Sequence, residues 1–289
     1  MIVTLKKILE LAEEKKIAVG AFNACNFASL RAVVAAAEES GEPLILQYAQ
    51  CHECYNSLED LGPLMIKYAA RASVPVCVHL DHGENLTYLK KALELGFTGI
   101  MFDGSTLPYE QNLELSAEAV RMAREFGASV EAELGCMGRR EEGKGVTTGA
   151  DDETKIYTDP ALAGEFVRDT GIDALACSFG TTHGIYLKKP RLDFDIVSRV
   201  RENIGGKPIV MHGGSGVSPE DFRRAIQAGV RKINYFTYMD KAGGQVVADA
   251  LKEGALAHPF FADMTNLAMN AMKENVKDAI RVFSGKEPV

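Results

Sequence analysis

The sequence predicts a (β/α)8 barrel, and three observations support that prediction. Eight short runs rich in β-branched and apolar residues alternate with longer amphipathic stretches. The strands are almost continuously apolar, as strands buried on both faces of a parallel sheet are. At 289 residues the chain exceeds the usual domain length, but barrels of this class reach about 250 residues as one domain. We therefore expect one barrel domain over residues 1–289, with extra helices at the C-terminus.

The elements follow one another in strict order. The eight predicted strands are 17–24, 43–49, 74–82, 99–105, 129–135, 173–180, 208–213 and 230–237. The helical stretches between them are 27–39, 58–72, 86–95, 110–126, 161–170, 194–203 and 219–228. The last helix begins with a capping sequence, because Ser218 precedes Pro219 and an acid lies three residues on. Several other helices end on a Gly before the next strand, as at Gly96 and Gly127.

An open, doubly wound sheet has the same alternation, and the strand count alone does not exclude it. Eight units favour a closed barrel. In addition, the first strand is not followed by the glycine-rich turn of a dinucleotide-binding sheet. Two segments fall outside the alternation. Residues 136–158 form a long polar loop of the length that functional lids have, and residues 251–289 form a helical tail. We expect the tail to pack on the barrel or on a neighbouring subunit.

Composition and charge exclude several classes of protein. The net charge of −8 argues against a nucleic-acid partner, which needs a basic surface. The apolar runs are too short to cross a membrane, and the first residues show no signal-peptide pattern. Six scattered Cys indicate reduced thiols rather than a disulfide framework. We therefore expect a cytoplasmic protein with no nucleic-acid or membrane partner.

Polar residues gather at the predicted C-terminal ends of the strands, where such barrels build their active sites. His82 ends the third strand, and His183 and His212 follow the sixth and seventh. A catalytic zinc prefers three protein ligands and an open position, which these histidines would supply. A lone His is more often structural, but three at separate strand ends are harder to explain in that way. The same ends carry Asn23, Gln47, Asp81, Asp103, Glu131, Glu133 and Asn234.

Other metal-ligand types in the chain are weaker candidates. His52 does not share the strand-end placement, and His79 is expected in the core or behind the ligands. Cys51 and Cys54 have the spacing of half a zinc site, but no second pair follows. We expect these two thiols to pack or to line a pocket.

The loops after the seventh and eighth strands predict a phosphate site. Gly213, Gly214 and Ser215 lead into a helix, and Asn234-Tyr235-Phe236-Thr237 ends the eighth strand. These two loops form the recurrent phosphate site of (β/α)8 barrels, where backbone N–H groups and a helix N-terminus hold the anion. A plain tight turn is the alternative for the two glycines taken alone.

Six motifs carry a family resemblance. They are His79-Leu80-Asp81-His82-Gly83, Phe102-Asp103-Gly104-Ser105, Val130-Glu131-Ala132-Glu133-Leu134-Gly135, Gly180-Thr181-Thr182-His183-Gly184-Ile185-Tyr186, His212-Gly213-Gly214-Ser215-Gly216 and Lys232-Ile233-Asn234. In this order they resemble the class II, zinc-dependent ketose-bisphosphate aldolases, which include the fructose- and tagatose-1,6-bisphosphate enzymes. The match is more specific for the superfamily than for the substrate.

The resemblance implies a role for each matching residue. His82, His183 and His212 would bind the catalytic zinc, which Asp103 and Glu133 would hold in an alternative position when substrate is absent. Asp81 would be the acid/base at the cleaved carbon–carbon bond, and Glu141 would move the proton on the dihydroxyacetone phosphate carbon. The substrate contacts would come from Asn23, Gly184, Gly213, Gly214, Ser215, Asn234, Tyr235, Phe236 and Thr237. A monovalent cation, Na⁺ or K⁺, often lies beside the ketose phosphate in this family.

The chemistry agrees with metal rather than imine catalysis. Cleaving a ketose next to its carbonyl leaves a carbanion that must be stored as an enediolate, and zinc stabilises that charge as a Lewis acid. A class I enzyme would use a Schiff-base Lys inside the barrel. The strand-end Lys232 lies two residues before Asn234 and is expected to point elsewhere.

Three departures from the family pattern leave the substrate open. Arg139 and Arg140 stand where the family usually has Gly, and they would either bind an anion or be solvated. The run after Asn234 is bulkier than usual, and residues 47–52 lack the usual small, Ser-containing sequence. A second phosphate therefore cannot be assumed.

We expect a lyase of carbohydrate metabolism, as in glycolysis, that reversibly cleaves a phosphorylated ketose to dihydroxyacetone phosphate and an aldehyde. A homo-oligomer, dimer or tetramer, is the expected assembly. One alternative is an aldolase of the same mechanism for a singly phosphorylated or acidic ketose. Others are a non-catalytic sugar-phosphate-binding homologue and a metal-dependent sugar-phosphate epimerase.

Overall fold

The computed structural model describes residues 1–135, 157–185, 190–256 and 258–286. Its strands are β1 (Val19–Asn23), β2 (Leu44–Ala49), β3 (Val76–Gly83), β4 (Gly99–Phe102), β5 (Ser129–Leu134), β6 (Ala174–Cys177), β7 (Ile209–Met211) and β8 (Val230–Tyr235). They pair in parallel and in chain order, and β8 also pairs with β1, so the barrel is closed. The predicted fold and all eight predicted strands are confirmed. Each observed strand is shorter than the predicted one.

The described residues also form ten α-helices. These are α1 (Leu5–Lys15), α2 (Phe27–Ser40), α3 (Leu58–Arg71), α4 (Leu86–Glu94), α5 (Tyr109–Glu125), α6 (Pro160–Thr170), α7 (Phe194–Asn203), α8 (Pro219–Ala228), α9 (Thr237–Lys252) and α10 (Phe261–Phe283). The predicted cap of α8 is present, since Ser218 Oγ accepts a hydrogen bond from the Asp221 amide. Not one of these helices is long and apolar enough to cross a membrane.

The N-terminal helix α1 closes the end of the barrel opposite the predicted site. Leu5, Ile8, Leu9 and Ala12 are fully buried against small and β-branched side chains that point into the barrel. Glu13 of α1 also pairs with Arg231 of β8, with the Arg231 Nε 2.8 Å from its carboxylate. Over the described residues, the N-terminal end of the barrel is therefore closed, and the polar residues lie at the opposite, C-terminal ends of the strands.

The last helix, α10, completes the ring of helices around the barrel. The Phe283 ring lies 4.9 Å from Phe222 of α8 and 6.4 Å from Phe22 of β1, measured between centroids. Lys273 and Lys277 of α10 both pair with Glu39 of α2. The C-terminal segment therefore packs on the barrel. This is one of the two arrangements predicted for it, the other being packing on a neighbouring subunit.

Candidate metal centre and active site

Asp81 and His82 are neighbours in sequence, yet both side chains enter the same site. A regular strand would send them to opposite faces. The β3–β4 register shifts between Leu80 and Gly83, and His82 has a left-handed backbone with φ +46°. An irregularity of this kind re-aims the side chains that follow it. The site therefore depends on a strained backbone position at a non-glycine residue.

The three predicted histidines meet at one point. His82 Nε2 lies 3.2 Å from His183 Nε2 and 3.0 Å from His212 Nδ1. One nitrogen from each ring falls within 4.8 Å of the others. The rings come from the end of β3 and from the loops after β6 and β7, so three separate parts of the chain converge. This is the donor arrangement that a tetrahedral metal with one open position requires.

A second group of ligands shares His82. His82 Nδ1 lies 2.7 Å from Asp103 Oδ2, and His82, Asp103 and Glu133 form another set whose ligand atoms lie within 4.8 Å. Ser105 Oγ donates a 2.6 Å hydrogen bond to the other oxygen of Asp103 and fixes that carboxylate. Two overlapping ligand sets therefore share one imidazole.

Glu133 provides a test of whether a cation fits. Its Oε2 atom is buried and has no hydrogen-bond partner among the described residues, and it lies 3.7 Å from His212 Nδ1. Burial, and then the charge of Asp103, raises the pKa of Glu133 well above its usual value. A buried, unpaired carboxylate oxygen beside imidazole nitrogens fits a bound metal ion.

The charge balance around His82 supports the same conclusion. Burial lowers the pKa of His82, but Asp81 and the hydrogen-bonded Asp103 outweigh it and raise that pKa to about 9. The carboxylates therefore draw a proton onto the imidazole when no other cation is near. A divalent metal would supply that positive charge instead.

Asp81 is held by two amide side chains. Asn23 Nδ2 donates to Asp81 Oδ2 at 2.9 Å, and Asn234 Nδ2 donates to Oδ1 at 3.0 Å. Burial would raise the pKa of Asp81, but the charges of His82 and His212 and the bond from Asn23 lower it below its usual value. The carboxylate is thus ionised and oriented next to the histidine cluster.

Residues 3–287 match the family model for class II fructose-bisphosphate aldolase. The chain belongs to this family. It is 38% identical to a fructose-bisphosphate aldolase of Geobacillus stearothermophilus over 86% of each chain, and 35% identical to YdjI of Escherichia coli K12 over 94% of each. The crystal structure of the YdjI aldolase superposes with a TM-score of 0.84, covering 98% of this chain and 97% of the other. Class II aldolases are zinc-dependent carbon–carbon lyases that act on sugar phosphates, so the predicted enzyme class is confirmed.

Lys232 of this class II aldolase lies inside the barrel, and the expectation that it points elsewhere is wrong. Residues two apart on a strand share a face, so Lys232 and Asn234 both point inward. Lys232 is fully buried and its Nζ lies 2.7 Å from Glu131 Oε2. Its ammonium is therefore held in an ion pair below the histidines, which is not the state of an imine-forming lysine.

Glu131 links that lysine to the histidine cluster. Its other oxygen, Oε1, lies 2.7 Å from His212 Nε2, and His79 Nε2 lies 3.5 Å from Oε2. Because Nε2 of His212 donates to the carboxylate, the lone pair of Nδ1 faces the other two histidines. The sequence placed His79 in the core or behind the ligands, and that is where it lies.

Ser215 joins the two loops of the aldolase in which a phosphate site is predicted. Its Oγ accepts hydrogen bonds from the amides of Phe236, at 3.2 Å, and Tyr238, at 3.4 Å. The Gly214 amide donates to the Asn234 carbonyl at 3.0 Å. These contacts place the N-terminus of α9 beside the glycine loop, although Tyr235 points outward against Phe22. The backbone of Tyr235, and not its side chain, therefore faces the predicted phosphate site.

Several predicted positions need a separate account. Gly184 follows His183 directly and has φ +92°, a conformation that favours glycine. Glu141, Arg139 and Arg140 lie outside the described residues. Cys51 and Cys54 are exposed, and the expectation that they pack or line a pocket stays a prediction.

His52 is the site residue that sequence reasoning missed. It lies in the short 3₁₀ helix Gln50–Cys54 after β2, is 7% exposed, and its ring centroid lies 4.6 Å from that of Phe236. The sequence set it aside because it follows the strand by three residues. A 3₁₀ turn can carry such a residue back over the barrel mouth, which spacing alone does not reveal.

Gly213→Ala tests how tightly the glycine loop is packed. Gly213 has φ +64°, and an added Cβ would lie 2.4 Å from the carbonyl oxygen of Thr182, in the loop that carries His183. We expect about 1–2 kcal/mol of destabilisation from the backbone conformation and about 1–3 kcal/mol more from the clash. Chemical denaturation measures the sum, and zinc titration should show weaker binding.

The matched control is Gly41→Ala. Gly41 has φ +67°, but an added Cβ meets nothing within 4 Å. We expect only the conformational cost there and no change in zinc affinity. Equal losses of stability in the two variants would contradict the packing assigned to Gly213.

Proposed function

We propose that this class II aldolase is zinc-dependent and reversibly cleaves a phosphorylated ketose, fructose- or tagatose-1,6-bisphosphate-like, to dihydroxyacetone phosphate and an aldehyde. The observation that carries the proposal is the convergence of three histidine nitrogens within 4.8 Å. Beside them, Asp81 is ionised and held by two amides. A metal site and an oriented carboxylate side by side are what retro-aldol cleavage needs.

His82, His183 and His212 would hold the zinc, and Asp103 and Glu133 with His82 would offer the alternative position. When bound, zinc supplies Lewis-acid stabilisation of the negative charge that develops on the ketose as the carbon–carbon bond breaks. The second ligand set supports two positions because it shares His82 with the first.

Asp81 would accept the proton of the substrate hydroxyl at the carbon–carbon bond that breaks, and would return it in the direction of synthesis. Its depressed pKa keeps it in the basic form. Glu141 remains the proposed group for the proton on the dihydroxyacetone phosphate carbon.

The loops after β7 and β8 would bind the phosphate of dihydroxyacetone phosphate. Backbone N–H groups and the N-terminus of α9 make that end of the barrel suitable for an anion. The predicted contacts are those of Asn23, Gly184, Gly213, Gly214, Ser215, Asn234, Phe236 and Thr237, with the backbone of Tyr235. A monovalent cation, Na⁺ or K⁺, is proposed beside them, and a cytoplasmic homo-oligomer of single-domain subunits is the proposed assembly.

Two alternatives remain candidates because the substrate is not fixed by the family. The first is an aldolase of the same mechanism for a singly phosphorylated or acidic ketose, which the unusual residues 47–52 favour. The second is a non-catalytic sugar-phosphate-binding homologue, which the complete ligand set and the oriented Asp81 oppose.

Metal removal and a substrate panel test the proposal. Elemental analysis should find about one zinc per chain, and exhaustive chelation should abolish cleavage until zinc is restored. Coupled detection of dihydroxyacetone phosphate should identify the substrate among fructose and tagatose bisphosphates and singly phosphorylated ketoses. Cleavage that survives complete metal removal would overturn the proposal. Ketose binding without turnover would favour the non-catalytic alternative.

A further inference from the structure

His52 and Phe236 form a wall on one side of the barrel mouth. His52 follows β2 and Phe236 follows β8, and β1 lies between these two strands in the barrel. Because the two ring centroids are 4.6 Å apart, the ring pair spans the end of β1, beyond Asn23. Asn23 donates to Asp81, so the pair lies on the β1–β2 side of the proposed acid/base group.

The turn that carries His52 is fixed on both sides. Glu53 accepts hydrogen bonds from the hydroxyls of Tyr48 and Tyr88, and Gln50 Oε1 accepts from the amide of Glu84. These contacts tie the turn to β2 and to the start of the loop after β3. The ring of His52 is therefore held in place before any ligand arrives.

On this side of the barrel mouth, two buried hydrogen-bond acceptors have no donor among the described residues. Ionised Asp81 can only accept, so Asn23 turns its Nδ2 toward it and uses Oδ1 to accept from Gln47 Nε2 at 3.2 Å. Gln47 Oε1 is then a buried acceptor without a partner among the described residues, as is Asn234 Oδ1. Both need a donor, which a hydroxyl group provides and a phosphate dianion does not.

His52 adds a third unpaired atom to this set. Its Nδ1 is buried and has no hydrogen-bond partner in the described parts of the chain. Burial lowers the pKa of His52, the charge of Asp81 opposes that shift, and His82 adds to it. Residues 50–57, all described, contain no Lys or Arg. This turn therefore offers no cationic side chain to a phosphate, and its one carboxylate, Glu53, is engaged by the hydroxyls of Tyr48 and Tyr88.

We propose that His52, with Gln47, forms a subsite for the uncharged, hydroxyl-bearing part of the substrate that leaves as the aldehyde. The proposal rests on the proposed function, because the β7–β8 loops must hold the phosphate end for the aldehyde end to extend toward β1 and β2. Among the substrates named there it favours the singly phosphorylated ketose, whose aldehyde half carries no phosphate. An unpaired buried polar atom is costly to the free protein, and a substrate hydroxyl satisfies it. His52 then selects hydroxylated aldehydes over their deoxygenated analogues.

Condensation of dihydroxyacetone phosphate with two matched aldehydes tests the subsite. Glyceraldehyde carries two hydroxyls, and propanal has the same carbon chain without them. The zinc-loaded wild-type enzyme should favour glyceraldehyde at least about tenfold in kcat/KM. His52→Phe keeps a ring against Phe236 but no hydrogen-bonding nitrogen, and it should lose about tenfold or more with glyceraldehyde while the rate with propanal changes less than about threefold.

Two further variants separate hydrogen bonding from packing. His52→Asn loses the ring but can place a polar atom near Nδ1, and it should recover part of the preference for glyceraldehyde. Cys54→Ser changes an exposed thiol in the same turn and should leave both rates at wild-type values. An unchanged aldehyde preference in His52→Phe, or its equal loss in Cys54→Ser, would overturn the subsite.

Deuterium exchange into dihydroxyacetone phosphate alone distinguishes failure of the subsite from failure of the proposed function. The exchange needs no aldehyde, so His52→Phe should retain it. If wild-type enzyme catalyses no exchange, both the aldolase proposal and the subsite fall. Normal exchange, together with a wild-type preference for glyceraldehyde 3-phosphate that disappears in His52→Phe, would overturn the uncharged-hydroxyl assignment alone.

Discussion

Asp81→Ala is expected to lower the rate of carbon–carbon bond cleavage about 10²–10⁴-fold, the usual contribution of a positioned acid/base group. Asp81 is the carboxylate that Asn23 and Asn234 orient from either side, at 2.9 and 3.0 Å. Burial alone would raise the pKa of Asp81, but the charges of His82 and His212 outweigh burial and lower that pKa below its usual value. An ionised, immobile carboxylate is prepared to take a hydroxyl proton, and alanine removes that function.

Zinc binding should survive the same substitution. The ligand nitrogens belong to the three histidines, and Asp81 contributes no atom to either ligand set. Elemental analysis should therefore still find about one zinc per chain in Asp81→Ala. Deuterium exchange into dihydroxyacetone phosphate, which breaks no carbon–carbon bond, should also continue.

A matched carboxylate supplies the control. Asp278 lies on the outer surface of α10, where it pairs with Arg281, and Asp278→Ala should leave cleavage, exchange and zinc content unchanged. Cleavage at wild-type rate in Asp81→Ala would remove the role assigned to this residue. Loss of zinc together with cleavage would instead indicate that Asp81 supports the metal site.

The barrel itself was predictable because eight short β-branched and apolar runs alternate with helical stretches along the chain. The convergence of the three histidines was predictable for a related reason. In a closed parallel barrel, the C-terminal ends of all strands lie at one edge, so residues far apart in sequence are brought together without any knowledge of side-chain packing. His82, His183 and His212 needed only their positions after strands to be found.

The direction of a side chain on β8 depends on strand geometry at single-residue precision. Lys232 was expected to point elsewhere, but the twofold period of β8 puts it on the same face as Asn234. The same period puts the Tyr235 side chain on the outer face, so the substrate contact predicted for Tyr235 stays a prediction for its backbone. The irregularity at His82 is different, because its left-handed backbone arises from pairing with β4 and has no local sequence signal.

Loops limited the prediction in another way. His52 reaches the barrel mouth because a 3₁₀ turn folds back and is tied down by Glu53 and Gln50. Those contacts come from Tyr48 of β2, Glu84 in the loop after β3 and Tyr88 of α4, and the last two do not exist until the barrel has formed. A sequence pattern could identify the histidine but not its direction.

Glu131→Gln is expected to destabilise the enzyme by about 3–5 kcal/mol, the typical cost of removing one partner from a buried ion pair. Glu131 and Lys232 are both fully buried, and their charged atoms are 2.7 Å apart. The variant leaves the Lys232 ammonium in the barrel interior without its counter-charge. Chemical denaturation of the metal-free protein measures the loss.

The same substitution should weaken zinc binding about 10–100-fold, as changes behind a metal-ligating histidine usually do. Glu131 Oε1 accepts from His212 Nε2 at 2.7 Å and thereby keeps the Nδ1 lone pair directed at the cluster. A neutral amide is a weaker acceptor and can also turn its NH₂ toward the ring. Competition with a fluorescent zinc chelator measures the affinity independently of turnover.

Glu131→Gln combined with Lys232→Met separates these two effects. Removing both charges should restore most of the lost stability, because no uncompensated ion remains buried. Zinc affinity should stay low, because the histidine still faces an amide. Glu10→Gln, which weakens the exposed pair with Lys7 on α1 at the other end of the barrel, should cost less than about 1 kcal/mol and leave zinc affinity unchanged. Full recovery of zinc affinity in the double variant would show that Glu131 acts on the metal site only through the stability of the fold.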